Sequence, residues 1–166
     1  MKDIAIRQVL IVADESIDNS CVMNKAIDAL ADELEERNLQ VTIAESYDEA
    51  RPIVANNMDI DCILLATDMQ LNLDEENKAR RLFSLIRQRQ SSVPVFLLAD
   101  HDTTSEAMSP ELMADANEFI WIFEDSPMFI AGRIEAAIER FRQQLLPPLM
   151  KAIWDYNEEN HEYSWA

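Results

Sequence analysis

Apolar and polar positions in this chain alternate in blocks rather than singly. Four nearly continuous apolar runs stand out: QVLIVA (8–13), CILLA (62–66), VFLLA (95–99) and FIWIF (119–123), with a shorter one at Val41–Ala44. Runs of four to six apolar residues without in/out alternation predict strands buried on both faces of a parallel sheet. The intervening stretches carry apolar residues at helical spacing. Ile27, Leu30, Ala31 and Leu34 predict a helix over Ala26–Arg37; Ala79, Leu82, Phe83 and Ile86 predict one over Glu75–Arg89. A shorter helix is expected over Tyr47–Asn57, where Ser46 can cap and Asp48 and Glu49 suit the positive end of the helix dipole. A brief one is expected over Pro110–Ala116. The last, Phe129–Leu145, carries Ile130, Ile134, Ala137, Ile138 and Phe141, with Ser126 placed as cap and Pro127 as first helical residue.

Five strand–helix units in succession imply an open α/β sheet with right-handed crossovers and helices on both faces. For this length the expected architecture is the flavodoxin-like, CheY-like three-layer domain, with a five-stranded parallel sheet in order 2-1-3-4-5. Pro147 and Pro148 remove two backbone donors and push the preceding residues out of the helical region, so the final helix must stop near Leu145. That places a domain over residues 1–146. Residues 147–166 form a linker segment whose Leu149, Ala152, Ile153 and Tyr156 share one face of a C-terminal linker helix. The segment ends on Tyr163, Ser164, Trp165 and Ala166, aromatic residues with nothing after them to pack against, which is expected of a connector to a further domain.

Composition narrows the chemistry. The 166 residues carry 32 acidic and 14 basic side chains, a net charge of −18, which repels nucleic acid and anionic lipid. The one glycine, Gly132, lies inside a helical pattern, so neither a Rossmann fingerprint nor a Walker loop can form. No apolar run approaches the roughly 20 residues of a membrane span, and the amino terminus lacks the design of a signal peptide. Cys21 and Cys62 are read as reduced thiols of a cytoplasmic protein.

Ligands of such a sheet bind beyond the carboxyl ends of the strands. Over about residues 7–145 the chain resembles the receiver domains of bacterial response regulators, and Asp14 and Glu15 match their acidic pair after the first strand. The likeness then breaks down. With Met69 aligned to the receiver's methionine, Ala66 stands where the phosphate-accepting aspartate belongs, and a shift to Asp68 puts the acceptor two residues too far along the loop. Ala99 replaces the hydroxyl residue after the fourth strand, and Phe123, Glu124 and Asp125 occupy the corner where a lysine is required. Without that cation nothing neutralises a phosphoryl group among carboxylates. Asp100, His101 and Asp102 are adjacent and cannot all face one metal, so they read as a solvated loop; His161 reads as exposed, and Phe119, Trp121 and Phe123 as core.

The stretch RFRQQLLPPLMKAIWDYNEENHEYSWA (140–166), with SSVPVFLLAD and EFIWIFEDSPMFIAGRIEAAI upstream, closely resembles the bacterial pyridoxal-phosphate-dependent arginine/lysine/ornithine decarboxylases, most of all their acid-inducible, arginine-specific members. The resemblance implies a receiver-like, non-catalytic "wing" that precedes the cofactor domain. It implies a parent enzyme that converts L-arginine to agmatine and CO2, consuming a proton, with pyridoxal 5′-phosphate and the Schiff-base lysine outside these residues. No catalytic, cofactor-binding or metal-binding residue is then expected within 1–166. The partners implied are the chain's own catalytic domain and homo-oligomer subunits, from dimer to decamer. The alternative is a stand-alone degenerate receiver that acts as a protein-binding or signalling module.

Overall fold

The computed structural model describes residues 6–13, 20–57, 59–66, 73–89, 92–99, 118–122 and 124–144. The expected helix at 110–116, the acidic pair 14–15, the loop 100–102 and the segment 147–166 lie outside the described residues.

Five strands, β1 (Arg7–Val12), β2 (Leu39–Ala44), β3 (Ile60–Ala66), β4 (Val95–Ala99) and β5 (Glu118–Trp121), pair in parallel in the order β2-β1-β3-β4-β5. β1 runs in register with β2 from Arg7↔Leu39 to Val12↔Ala44, and β4 meets β5 from Phe96↔Glu118 to Ala99↔Trp121. All seven residues of the central strand β3 are buried, as its continuous apolar run requires. Four helices complete the described fold: α1 (Ser20–Glu36), α2 (Tyr47–Asn56), α3 (Leu73–Arg89) and α4 (Pro127–Gln144).

The two faces of the sheet bury separate cores. Leu10, Val12, Ile63, Leu65, Val95 and Leu97 pack against Tyr47, Ala50 and Val54 of α2 and Leu82, Phe83 and Ile86 of α3. Val9, Ile11, Cys62, Leu64, Phe96 and Leu98 pack against Ile27, Leu30 and Leu34 of α1 and Ile130, Ile134 and Ile138 of α4. Alternate residues of each strand thus feed opposite layers, and the three-layer α/β arrangement matches the expectation from the apolar runs.

Differences fall at element ends. α1 begins at Ser20, six residues before Ala26. β2 begins at Leu39, earlier than Val41. The backbone reverses at Asn38 in the left-handed region (φ 67), a conformation asparagine tolerates, and this delivers Leu39 straight into the core. β5 covers Glu118–Trp121 instead of Phe119–Phe123, and Ile122 is a buried turn residue. Both anticipated caps form: the Ser46 hydroxyl accepts from the Glu49 N–H at 3.0 Å, and the Ser126 hydroxyl from the Phe129 N–H at 3.2 Å. α2 continues through Pro52, which has no N–H to give to the preceding turn; burial of Ala50 and Val54 on either side offsets that loss.

Candidate functional site

At the carboxyl edge of the sheet, where a ligand would sit, β3 and β4 end on alanine. β3 closes on Ala66, fully buried and paired with Leu98, and β4 closes on Ala99. Neither can accept a phosphoryl group or supply a hydroxyl. After β5, Glu124 is exposed, while Asp125 pairs with Arg133 of α4 at 3.8 Å. Arg133 also bonds Glu118 and lies 6.0 Å from the Phe129 ring centroid, so its charge is already engaged. No group of three histidine, cysteine or acidic residues suited to a metal occurs among the described residues. The Cys62 thiol is completely buried; desolvation first, and the neighbouring Asp61 charge second, push its pKa far up, so it is no nucleophile.

The same residues do not suit pyridoxal 5′-phosphate. Its aldehyde needs a lysine amine within a cavity and its phosphate needs a cradle of N–H donors. The two described depressions are open clefts without lysine. One, of about 460 Å3, is lined by Arg80, Arg81, Ser84, Leu85 and Gln88 of α3; the other, of about 310 Å3, lies between β4, β5 and the end of α4.

Polar organisation is concentrated instead at the amino edge. Asp61, 6% exposed in β3, takes two bonds from Arg142 of α4: Nε to Oδ1 at 2.9 Å and a terminal nitrogen to Oδ2 at 2.8 Å. The Gln8 N–H adds a third at 2.8 Å, and Arg142 also reaches the Ile6 carbonyl at 3.1 Å. The bidentate pair raises the Arg142 pKa against the opposing effect of burial. Beside it, Glu135 of α4 receives Arg37 at 2.6 Å and Arg7 at 3.2 Å. Burial pushes the Glu135 carboxyl upward, but the two guanidinium groups outweigh it and leave the pKa below the ordinary range. Arg37 also bonds Glu33 and the Met128 carbonyl. These contacts tie α4, the last described element, to β1, β3 and α1.

Sequence reasoning passed over Asp61, although a visible signal existed. A carboxylate inside an otherwise apolar central strand must find a cation, and Arg142 in the last turn of α4 supplies it. The arrangement offers charged surface and fixed geometry, and among the described residues no acid, base or nucleophile converges on a pocket.

Fold and edge chemistry together define a receiver-like α/β domain whose described corner positions lack the phosphoryl-transfer groups. The chain belongs to the Orn/Lys/Arg decarboxylase, N-terminal domain family, which matches residues 22–141. It is 42% identical over 159 residues to the biodegradative arginine decarboxylase of Escherichia coli (strain K12), covering 96% of this chain and 21% of that protein. Among solved structures, lysine decarboxylase A from Pseudomonas aeruginosa superimposes with a TM-score of 0.74 at 24% identity, covering 99% of this chain and 22% of that one. The N-terminal domain of a response regulator/sensory box/GGDEF protein from Carboxydothermus hydrogenoformans gives 0.58 at 19% identity over 84% of this chain and 100% of its own, a likeness of fold alone. The chain spans about a fifth of the length of the curated relatives it matches. No described helix is long and apolar enough to cross a membrane.

Proposed function

We propose that this chain is the non-catalytic wing of a cytoplasmic, pyridoxal-phosphate-dependent arginine decarboxylase, and that it contributes to acid-favoured assembly of the enzyme. The observation that carries this reading is 42% identity to a biodegradative arginine decarboxylase across 96% of the chain, within only 21% of that protein. The parent would convert L-arginine to agmatine and CO2, taking up a proton, with cofactor and substrate held by residues beyond this domain.

The composition supplies a physical reason for acid dependence. Copies with a net charge of −18 repel one another at neutral pH. Unperturbed Asp and Glu side chains titrate near about 3.9 and 4.3, so repulsion fades as the medium approaches about pH 4–5. Sedimentation of the complete gene product between about pH 8 and 5 tests the assembly role; an oligomer size indifferent to pH and salt would refute it. Sequencing downstream of the codon for Ala166 tests the parent: several hundred further residues with a cofactor-binding lysine support it, and an immediate stop favours a stand-alone binding module. The 166-residue chain alone is expected to show no decarboxylation.

A further inference from the structure

Among the described residues four large apolar side chains stand exposed, Ile6, Ile43, Met128 and Phe129, and two of them are neighbours in the first turn of α4. Met128 is 64% exposed, and Phe129 stays 58% exposed although Arg133 lies 6.0 Å from its ring centroid. Helical spacing carries this surface along α4 from Phe129 to Gly132, Ala136, Glu139 and Arg140, opposite the buried stripe of the same helix. At Gly132 an added methyl group would meet nothing within 4 Å, and Ala136 is exposed. The middle of the face is therefore a shallow hollow that another backbone can approach closely. Arg140, at the far end, is exposed and forms no ion pair with a described residue.

We propose that this face of α4 docks antiparallel on the same face of a second copy of this chain, about a twofold axis passing between Gly132 and Ala136. This rests on the assembly reading above and names a surface that carries it. The axis sets Gly132 of one copy beside Ala136 of the other and brings Met128 and Phe129 against the Glu139–Arg140 turn of the second copy. One end of the face offers an exposed ring and the other an uncommitted guanidinium on a long apolar stem, a pair suited to cation–π stacking. A face that carries both halves is complementary to itself under a twofold rotation, which selects a second copy as occupant and makes the contact isologous. Acid leaves such a contact intact, because ring, guanidinium and hollow keep their character while carboxylates lose charge. The carboxylates bordering the face are Glu139 on α4, Glu118, Glu124 and Asp125 beside Arg133, and Glu33, Glu36 and Glu135 towards α1. Arg133 holds Glu118 and Asp125, and Arg37 holds Glu33 and Glu135. Neutralising the exposed Glu36, Glu124 and Glu139 lowers repulsion between copies, in keeping with acid-favoured assembly. One helix pair buries less than the roughly 1,200 Å2 of a stable interface, so the contact adds to those made by the rest of the proposed longer protein.

The test uses the complete gene product in sedimentation velocity at the pH where the wild type associates. Gly132→Leu fills the hollow and Phe129→Ser removes the ring; each is expected to weaken association at least tenfold with an unchanged circular dichroism spectrum. For Gly132→Leu the midpoint of unfolding at neutral pH is expected to be no lower than that of the wild type, so weaker association cannot be ascribed to a damaged fold. Should either variant fail to fold, Ala136→Gln, at an exposed helical position, is expected to weaken association about threefold. Ala136→Cys treated with a short bismaleimide is expected to give a covalent pair that neither the wild type nor Ser84→Cys on the opposite layer gives. Raising salt from about 0.05 to 0.5 M is expected to leave association unchanged or strengthen it, because screening reduces repulsion between acidic copies. Unchanged association in Gly132→Leu or Phe129→Ser, or dissociation by salt, overturns the docking face and leaves the assembly reading standing. Weakened association without a pair specific to Ala136→Cys also overturns it, since α4 then meets a different part of the oligomer. A wild type that never associates removes both.

Discussion

The Asp61–Arg142 pair offers the most direct test of how this fold is held, because a nearly buried carboxylate has its charge balanced by one side chain from the end of the chain's last described helix. Arg142→Ala would delete two charge-assisted bonds and leave Asp61 with only the Gln8 N–H. Breaking a fully buried pair costs about 3–5 kcal/mol. The Arg142 side chain is 29% exposed and the Asp61 side chain 8%, so water reaches one partner and the lower end applies, about 3 kcal/mol. Asp61→Ala leaves a cation that can turn to solvent and one N–H without its acceptor, for about 2 kcal/mol. The double variant should cost clearly less than the sum, with a coupling of about 2 kcal/mol. An apolar replacement, Asp61→Val with Arg142→Met, should return to within about 1–2 kcal/mol of wild type, since both buried charges go together. Urea unfolding at pH 7 gives these values from shifts in midpoint at constant slope. A coupling below about 0.5 kcal/mol would show that the Asp61–Arg142 pair does not hold α4 in place.

Three further outcomes are expected. Gly132 lies within α4, and a methyl group there would meet nothing within 4 Å, so Gly132→Ala should stabilise the domain by about 0.5–1 kcal/mol in the same assay. Ser46→Ala removes the acceptor of the Glu49 N–H and should cost about 1 kcal/mol, read as a lower thermal midpoint. The Glu135 carboxyl is held below its ordinary pKa, so its contribution is full above the unfolded carboxyl range and is lost as pH falls through the folded value. Wild type should therefore exceed Glu135→Gln in stability at pH 7, with the gap closing towards about pH 3; a gap that widens in acid contradicts the sign.

Strand positions and helix interiors were legible because burial writes itself into sequence as runs and periodicity. CILLA could only be a strand covered on both faces, and Ile27, Leu30 and Leu34 could only be one side of a helix. Element ends were less legible, as at the start of α1 and at the exposed Asn38, where the chain turns into β2. The methyl groups at Ala66 and Ala99 could be read as missing chemistry because strand ends are local features.

What the sequence determined by itself was the layered α/β class, the acidity that sets copies against one another, and the family likeness carried by its junction residues. Tertiary structure alone decided which charges meet. Asp61 and Arg142 are 81 positions apart, and Arg7 and Glu135 are 128 apart, so no local pattern links them. It also decided that the arginines of α3 and the carboxylates of α1 face opposite ways, because a crossover's side of the sheet is settled by chain topology and not by residue type. Short-range propensity acts within a few residues. Charge partnership across a sheet exists only once the chain has closed upon itself.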